Sequence, residues 1–411
     1  MDYLKDYYFL KNIYKESENN IILPGNQFVI KNVEFMSESS DIFPEISDYI
    51  KKNAENKNKI NSISSKKKSE CSNILRIFDF IDPIIKENTS FIYPVYKKNE
   101  NKKAGSVIIL LHGLNEKSWD KYHTWAKKLV ELTGKSVIMF PISFHINRAP
   151  LEWTEPRKMN AVSKERKNIF PDIIETSFVN AAISTRLQYA PQTFFWSGLR
   201  TYFDILKLIN QIKNDEHEYI DRNASIDFFS YSIGAFLTEI LLVADDKGLF
   251  NNSRAFLFCG GPTMDAMYPV SKYIYDNKTE AEMISFYVKN FDASLKSDSS
   301  LNNYFIDDNS AGIAFKAMLN YENLRLCRED RFRKLSENIC ALALEKDSVI
   351  PPVSVKKTLN GIDNDIPVRV YSMDFPFEYD HVSPFPLNEH IQTDVNISFN
   401  KVFEIAGNFL K

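Results

Sequence analysis

Residues 107–111 are wholly apolar, and the pattern that follows changes period: Trp119, Tyr122, Trp125, Ala126, Leu129 and Val130 fall at helical spacing before Gly134 offers a stop. A strand buried on both faces and followed at once by an amphipathic helix is the repeating unit of a mostly parallel sheet. The rhythm returns at 137–140, at 226–231 with a helix over Ile233–Ala244, and then at Ala255–Phe258, Ile339–Leu344 and 368–373. A C-terminal amphipathic helix runs through Val402, Phe403, Ala406 and Phe409. The expected fold class is α/β, a doubly wound, mostly parallel sheet with helices on both faces.

This texture begins near Phe91. Before it lie a possible strand at 28–35 and a polar stretch at 51–72, rich in Lys, Asn and Ser, which reads as a linker or an exposed helix. We therefore expect an N-terminal extension over 1–90 and the main domain over 91–411. Two segments, about 145–192 and 263–336, are too long for the connections of such a sheet. Both leave from C-terminal ends of strands, where an open α/β sheet binds its ligand, so both are expected to form a lid.

Composition narrows the function classes. Hydrophobic residues make up 44% of the chain, enough for a large core, and a net charge of -3 gives no general reason to expect nucleic acid or an anionic membrane as partner. The run Lys66, Lys67, Lys68 sits among Ser and Asn and reads as solvated. Cys71, Cys259, Cys327 and Cys340 are widely spaced with no C-x-x-C, so reduced thiols are expected rather than a zinc site or a disulfide framework. The start of the chain does not look like a secretory signal and no apolar run reaches spanning length, from which a soluble, cytoplasmic protein is expected. H-E-x-x-H, the phosphate loop and G-x-G-x-x-G do not occur, so no metal and no cofactor are expected. Asp307, Asp308, Glu155 and Glu165 read as solvated loop charges.

The chemistry concentrates in four places. Ser230-Tyr-Ser-Ile-Gly234 stands between an apolar strand and a helix. A nucleophile elbow holds its serine on a strained, sharp turn and needs small flanking residues; Ser230 replaces the first glycine of the usual G-x-S-x-G, and Gly234 keeps the second. The competing reading is a strand-to-helix turn whose serine caps the helix. His112-Gly113-Leu114-Asn115 follows the strand at 107–111 directly. Glu345-Lys-Asp347-Ser-Val-Ile-Pro-Pro352 follows Ile339–Leu344, and Glu378-Tyr-Asp-His381-Val-Ser-Pro384 follows 368–373.

In this order the four segments resemble the α/β-hydrolase superfamily over roughly 91–411. The resemblance implies an α/β-hydrolase fold with Ser232 as nucleophile, Asp347 orienting His381, and the backbone N–H groups of Leu114 and Ile233 as an oxyanion hole. His112, Gly113, Ser230 and Gly234 would support the two turns. Asp380 competes with Asp347 as the acid, and His390 is the other histidine after it. The stretches Phe195-Trp-Ser-Gly-Leu-Arg-Thr and Cys259-Gly-Gly-Pro262 resemble an uncharacterised bacterial family within the superfamily.

The resulting expectation is a serine hydrolase that cleaves a carboxylic ester or related acyl bond of a small or medium substrate. A non-catalytic binding module, or a peptidase or acyltransferase using the same residues, are the alternatives. Trp153, Phe170, Phe194, Phe195 and Trp196 either line an apolar pocket or pack in the core. The basic segment Arg157, Lys158, Lys164, Arg166 and Lys167 either attracts an acidic substrate or forms a charged lid surface.

Overall fold

The computed structural model describes residues 2–38, 44–67, 72–80, 82–244, 248–305 and 309–411. Lys68, Cys71, Asp307 and Asp308 lie outside the described residues. Among the described residues, nine strands form one sheet: β1 (Asn20–Ile22), β2 (Phe28–Met36), β3 (Ser90–Lys98), β4 (Ala104–Leu111), β5 (Ser136–Met139), β6 (Ile220–Tyr231), β7 (Ala255–Phe258), β8 (Ile339–Leu344) and β9 (Arg369–Met373). Their spatial order is β1-β2-β3-β5-β4-β6-β7-β8-β9. β1 to β3 run antiparallel to their neighbours, and β4 to β9 pair in parallel with one another. This is the α/β-hydrolase arrangement.

Side-chain alternation explains why the parallel strands look continuously apolar. On β4, Val107, Ile109 and Leu111 enter one core while Ile108 and Leu110 enter the other. The first core is covered by the helices Gln192–Lys213 and Ile233–Ala244, through Trp196, Leu199, Leu237 and Leu241. The second is covered by Asp120–Thr133 and Gln392–Leu410, through Trp125, Leu129, Phe399 and Phe403.

The segment 1–90 is continuous with this framework. β2 pairs with β3 from Phe28 opposite Lys98 to Met36 opposite Ser90, so the sheet crosses residue 90 without a break. The helix Tyr3–Ile13 lies on the second face, where Tyr3 stacks within 4.7 Å of Phe399 and its amide donates to Asn396 Oδ1. The polar stretch is a helix, Ile46–Lys67. Ile60 and, further on, Ile77 and Phe78 share a third core with Phe144, Trp153 and Met159 of the first insertion.

Each insertion contains helices of its own, Pro156–Ile169 and Ala181–Tyr189 in the first, Asn277–Met283, Ser310–Leu319 and Arg325–Lys334 in the second. A fully buried ion pair ties the two together: Arg166 donates from Nε and Nη2 to Asp276 at 2.7–2.9 Å. The chain leaves β4 toward β5 on one side of the sheet and continues from β6 toward β7 on the other. That reversal opens a crevice at the C-terminal ends of β4 and β6.

Candidate active site

Ser232 occupies the residue between β6 and the helix Ile233–Ala244 and takes φ +56°, a left-handed conformation that costs an L-residue about 1–2 kcal/mol. The turn is over-determined. The Ser232 carbonyl accepts from the amides of Ala235 and Phe236, and its own amide donates to the Phe258 carbonyl on neighbouring β7 at 3.2 Å. Gly234 is required by the same geometry, since a Cβ there would stand 2.7 Å from the Leu111 carbonyl oxygen and 2.8 Å from that of His112. Ser230 is accommodated in place of the first glycine because its hydroxyl shares a hydrogen bond with Thr238 Oγ1 at 2.6 Å, one turn along the following helix.

Three sequence-derived candidates are brought together here. Ser232 Oγ lies 2.7 Å from His381 Nε2, and His381 Nδ1 lies 2.7 Å from Asp347 Oδ2. All three are buried, with Ser232 7% exposed, His381 3% and Asp347 2%. Asp347 Oδ1 accepts from the amides of Val349 and Ile350, both at 2.9 Å, so each carboxylate oxygen has a donor. With Nδ1–H donating to Asp347, Nε2 carries the lone pair that accepts the hydrogen bond from the Ser232 hydroxyl. Asp380 is exposed and accepts from the Ser383 amide, and His390 is exposed in the approach to the last helix. Neither joins this chain of bonds.

The turn after β4 faces the serine from the opposite strand. His112 is fully buried; its Nε2 accepts from the Ile142 amide at 2.9 Å, which leaves Nδ1–H to donate to the Gly113 carbonyl. Burial holds this imidazole well below its ordinary pKa, so it is a neutral structural brace. The Gly113 amide donates to Tyr122 Oη at 2.9 Å, and that hydroxyl donates to Glu116. The amides of Leu114 and Ile233 donate to no acceptor among the described residues.

Several neighbours were not singled out in the sequence. Tyr231 lies almost parallel to the His381 ring, with centroids 5.4 Å apart, and its hydroxyl donates to the His381 carbonyl oxygen. Lys121 sits 4.8 Å over the Tyr231 ring and donates to the carbonyl of Val382. Cys259 is buried close to Asp347, and burial, reinforced by that carboxylate, pushes its thiol pKa well up, so it stays protonated. Asn115, at φ +63°, donates through Nδ2 to the Val179 carbonyl at 3.2 Å and the Tyr273 carbonyl at 2.6 Å, one in each insertion. Tyr231, Asn115 and Cys259 each lie within a segment the sequence singled out, but nothing in those segments assigns them a contact.

Two apolar cavities meet at the site. One is lined by Ser232 and Ile233 together with Met264, Met267, Ile274 and Met283 of the second insertion. The other runs under Phe194, Phe195, Phe236 and Phe315. Leu114, Phe194 and Ile233 line both. Among the remaining aromatic candidates, Trp196 is packed in the first core, and Trp153 and Phe170 belong to the third. The basic segment divides similarly. Arg166 is turned inward onto Asp276, Lys158 pairs with Glu152 and Glu155, and Arg157, Lys164 and Lys167 are exposed. Glu165 is not a free loop charge, since it accepts from the amides of Asn73 and Ile74.

A family model described as "Family of unknown function (DUF6051)" matches residues 1–411. No curated protein matches the sequence. Among solved structures, the chain is similar to a thermostable esterase from Pseudomonas putida, at 10% identity, covering 78% of this chain and 80% of that one with a TM-score of 0.40. It is also similar to carboxyl esterase 2 from Tuber melanosporum, at 10% identity over 79% and 82% with a TM-score of 0.38. An acylaminoacyl peptidase from Pyrococcus horikoshii is similar at 15% identity, over 76% of this chain and 38% of that one, with a TM-score of 0.37. At these scores the likenesses carry neither an activity nor a residue role to this chain.

Proposed function

The chain belongs to DUF6051, a family of unknown function, and we propose that it is a serine hydrolase that cleaves a carboxylic ester or related acyl bond through Ser232, His381 and Asp347. The observation that carries this reading is the unbroken pair of 2.7 Å contacts from Ser232 through His381 to Asp347, built on a serine held at positive φ. A helix-capping serine needs neither the strained backbone nor a buried imidazole–carboxylate partner.

In the proposed cycle Ser232 Oγ attacks the substrate carbonyl carbon while its proton passes to His381 Nε2. Asp347 holds the Nδ1–H tautomer and stabilises the imidazolium. The carbonyl oxygen becomes an alkoxide and accepts from the unpartnered amides of Leu114 and Ile233, donors that are already oriented before charge develops. Collapse expels the leaving group, which takes the proton from His381, and leaves an acyl-serine. Water, deprotonated by His381, then attacks the acyl carbon and restores Ser232. The methionine-lined and phenylalanine-lined cavities accept the acyl chain, and the two insertions act as the lid that keeps water from it.

A fluorophosphonate probe tests the reading without knowledge of the substrate. Wild-type protein should form a covalent adduct at Ser232, and Ser232→Ala should form none while its far-UV circular dichroism is unchanged. Folded wild-type protein that takes up no probe would leave a binding module as the better account.

A further inference from the structure

A third cavity adjoins the other two and shares Leu114 and Phe194 with the one that holds Ser232. Its lining is different in kind, because Asn115, Lys117, His145 and Arg186 stand in it. Arg186 is matched: its Nη2 donates to Asp82 at 2.6 Å, and its guanidinium lies 4.3 Å from the Phe144 ring centroid and 4.4 Å from that of Trp153. Glu116 is matched as well, by Lys121 at 2.5 Å. Lys117 has no ion pair and no hydrogen bond among the described residues. Burial lowers its pKa to about 8, which still leaves the ammonium charged at neutral pH in surroundings that disfavour it.

Two acceptors complete the lining. The His145 ring is buried at 6% exposure; Nδ1–H donates to the Ser143 carbonyl at 2.9 Å, so Nε2 is a lone pair, and it has no partner. Burial holds the ring pKa down to about 3, so it remains neutral. Asn115 Oδ1 is likewise buried without a partner. A cavity that holds a lysine with no ion pair or hydrogen bond of its own, its neighbour Glu116 being engaged by Lys121 and Tyr122, beside unused acceptors is complementary to a ligand with one negative charge and an adjacent O–H or N–H. A phosphate dianion fits less well, since its additional oxygens would face the lone pairs of His145 and Asn115.

We propose that this cavity selects acyl substrates bearing a carboxylate, which Lys117 receives while His145 Nε2 accepts from a neighbouring hydroxyl or amide N–H. The inference rests on Ser232 as the nucleophile only for its placement along the substrate; the anion site itself is a binding claim. Two probe pairs separate the claims. Between p-nitrophenyl pentanoate and the mono-p-nitrophenyl ester of glutaric acid, equal in chain length, wild-type kcat/KM should favour the carboxylate roughly tenfold or more. The ratio should fall to near one in Lys117→Met and be partly restored in Lys117→Arg. In calorimetry, N-butanoylglycine should bind wild-type protein roughly tenfold tighter than N-butanoylglycinamide, with the difference lost in Lys117→Met. If neither ester turns over, the hydrolase reading fails while the calorimetric pair still decides the anion site. A wild-type preference for the neutral probes, or a carboxylate preference that survives Lys117→Met, overturns the proposal.

Discussion

The edge of the sheet and the roof above it are held by different forces. At the edge, the hydrogen-bond chain runs between residues on three separate loops, each fixed by backbone bonds: Ser232 to β7, Asp347 to the amides of Val349 and Ile350, and His381 through its carbonyl to Tyr231. Little there depends on a single charge pair. In the roof, the two insertions are joined by Arg166 and Asp276, 110 residues apart in the chain and both fully buried, with Thr185 and Thr279 completing the polar cluster. Removing one member of such a pair strands the other, whereas losing one backbone bond is absorbed by its neighbours. Changes at the edge should therefore appear in chemistry, and changes in the roof in stability.

The sharpest test of that division is Asp347→Asn. By analogy with the acid of a serine-protease triad, turnover of a p-nitrophenyl ester should drop by about four orders of magnitude, because the imidazole loses its tautomer and its counter-charge. The midpoint of denaturant unfolding should move little. Asp276→Ala tests the other side, where an uncompensated Arg166 should cost about 3–5 kcal/mol of stability by urea denaturation, with labelling of Ser232 retained in the protein that remains folded. Equal loss of stability in the two variants would erase the contrast. Tyr231→Phe removes the bond to the His381 carbonyl and should lower kcat by roughly tenfold, the equivalent of one hydrogen bond, with KM unchanged. A larger effect on KM than on kcat would mean that Tyr231 shapes the pocket instead of the base.

The smallest expected effect has the opposite sign. Lys117 is faced by Glu116, Arg186 and His145, and its lowered folded pKa means that the unfolded chain binds more protons between about pH 8 and 10.5. The charged lysine therefore destabilises the fold below this window, and the penalty vanishes as pH rises through it. Lys117→Met should be more stable than wild type at pH 7 by about 1–2 kcal/mol, allowing for partial solvent screening, and near equal to it at pH 10.5 by denaturant midpoint. A residue that weakens its own fold in this way is typical of a binding site.

What was legible in the sequence follows the same division. β7 and β8 are short, apolar on both faces and closed by turn residues, as are the last five residues of β4 and the second half of β6, so these and the loops that follow them could be read in order, whereas the first half of β6, 220–225, is largely polar and carried no such signal. β1 and β3 could not be read, because β1 is only three residues long and Pro94 interrupts the run of β3, and their pairing is settled by partners far along the chain. The segment 1–90 looked separate on composition, yet nine residue pairs of β2 with β3 join it to the sheet. Charge pattern misled in the same way. Arg166 looked like one cation among five in a basic helix, and only the fold shows that Asp276 neutralises it. Lys117 drew no notice, because the property that singles it out is a missing partner, which no local pattern can display.

Asn115 has a consequence of its own. Its amide donates one hydrogen to each insertion, through the carbonyls of Val179 and Tyr273, while its backbone continues directly from Leu114. Neither insertion can swing away without breaking a bond to the residue beside the proposed oxyanion donor. If the proposed reaction holds, admission of a substrate and readiness to react would thereby be interlocked: a gap wide enough to let a large molecule in would loosen the Leu114 amide at the same moment, and resealing over a bound ligand would set it again. On the proposed mechanism such a site would be quiet while ajar, which would protect the proposed acyl-serine from meeting the wrong acceptor.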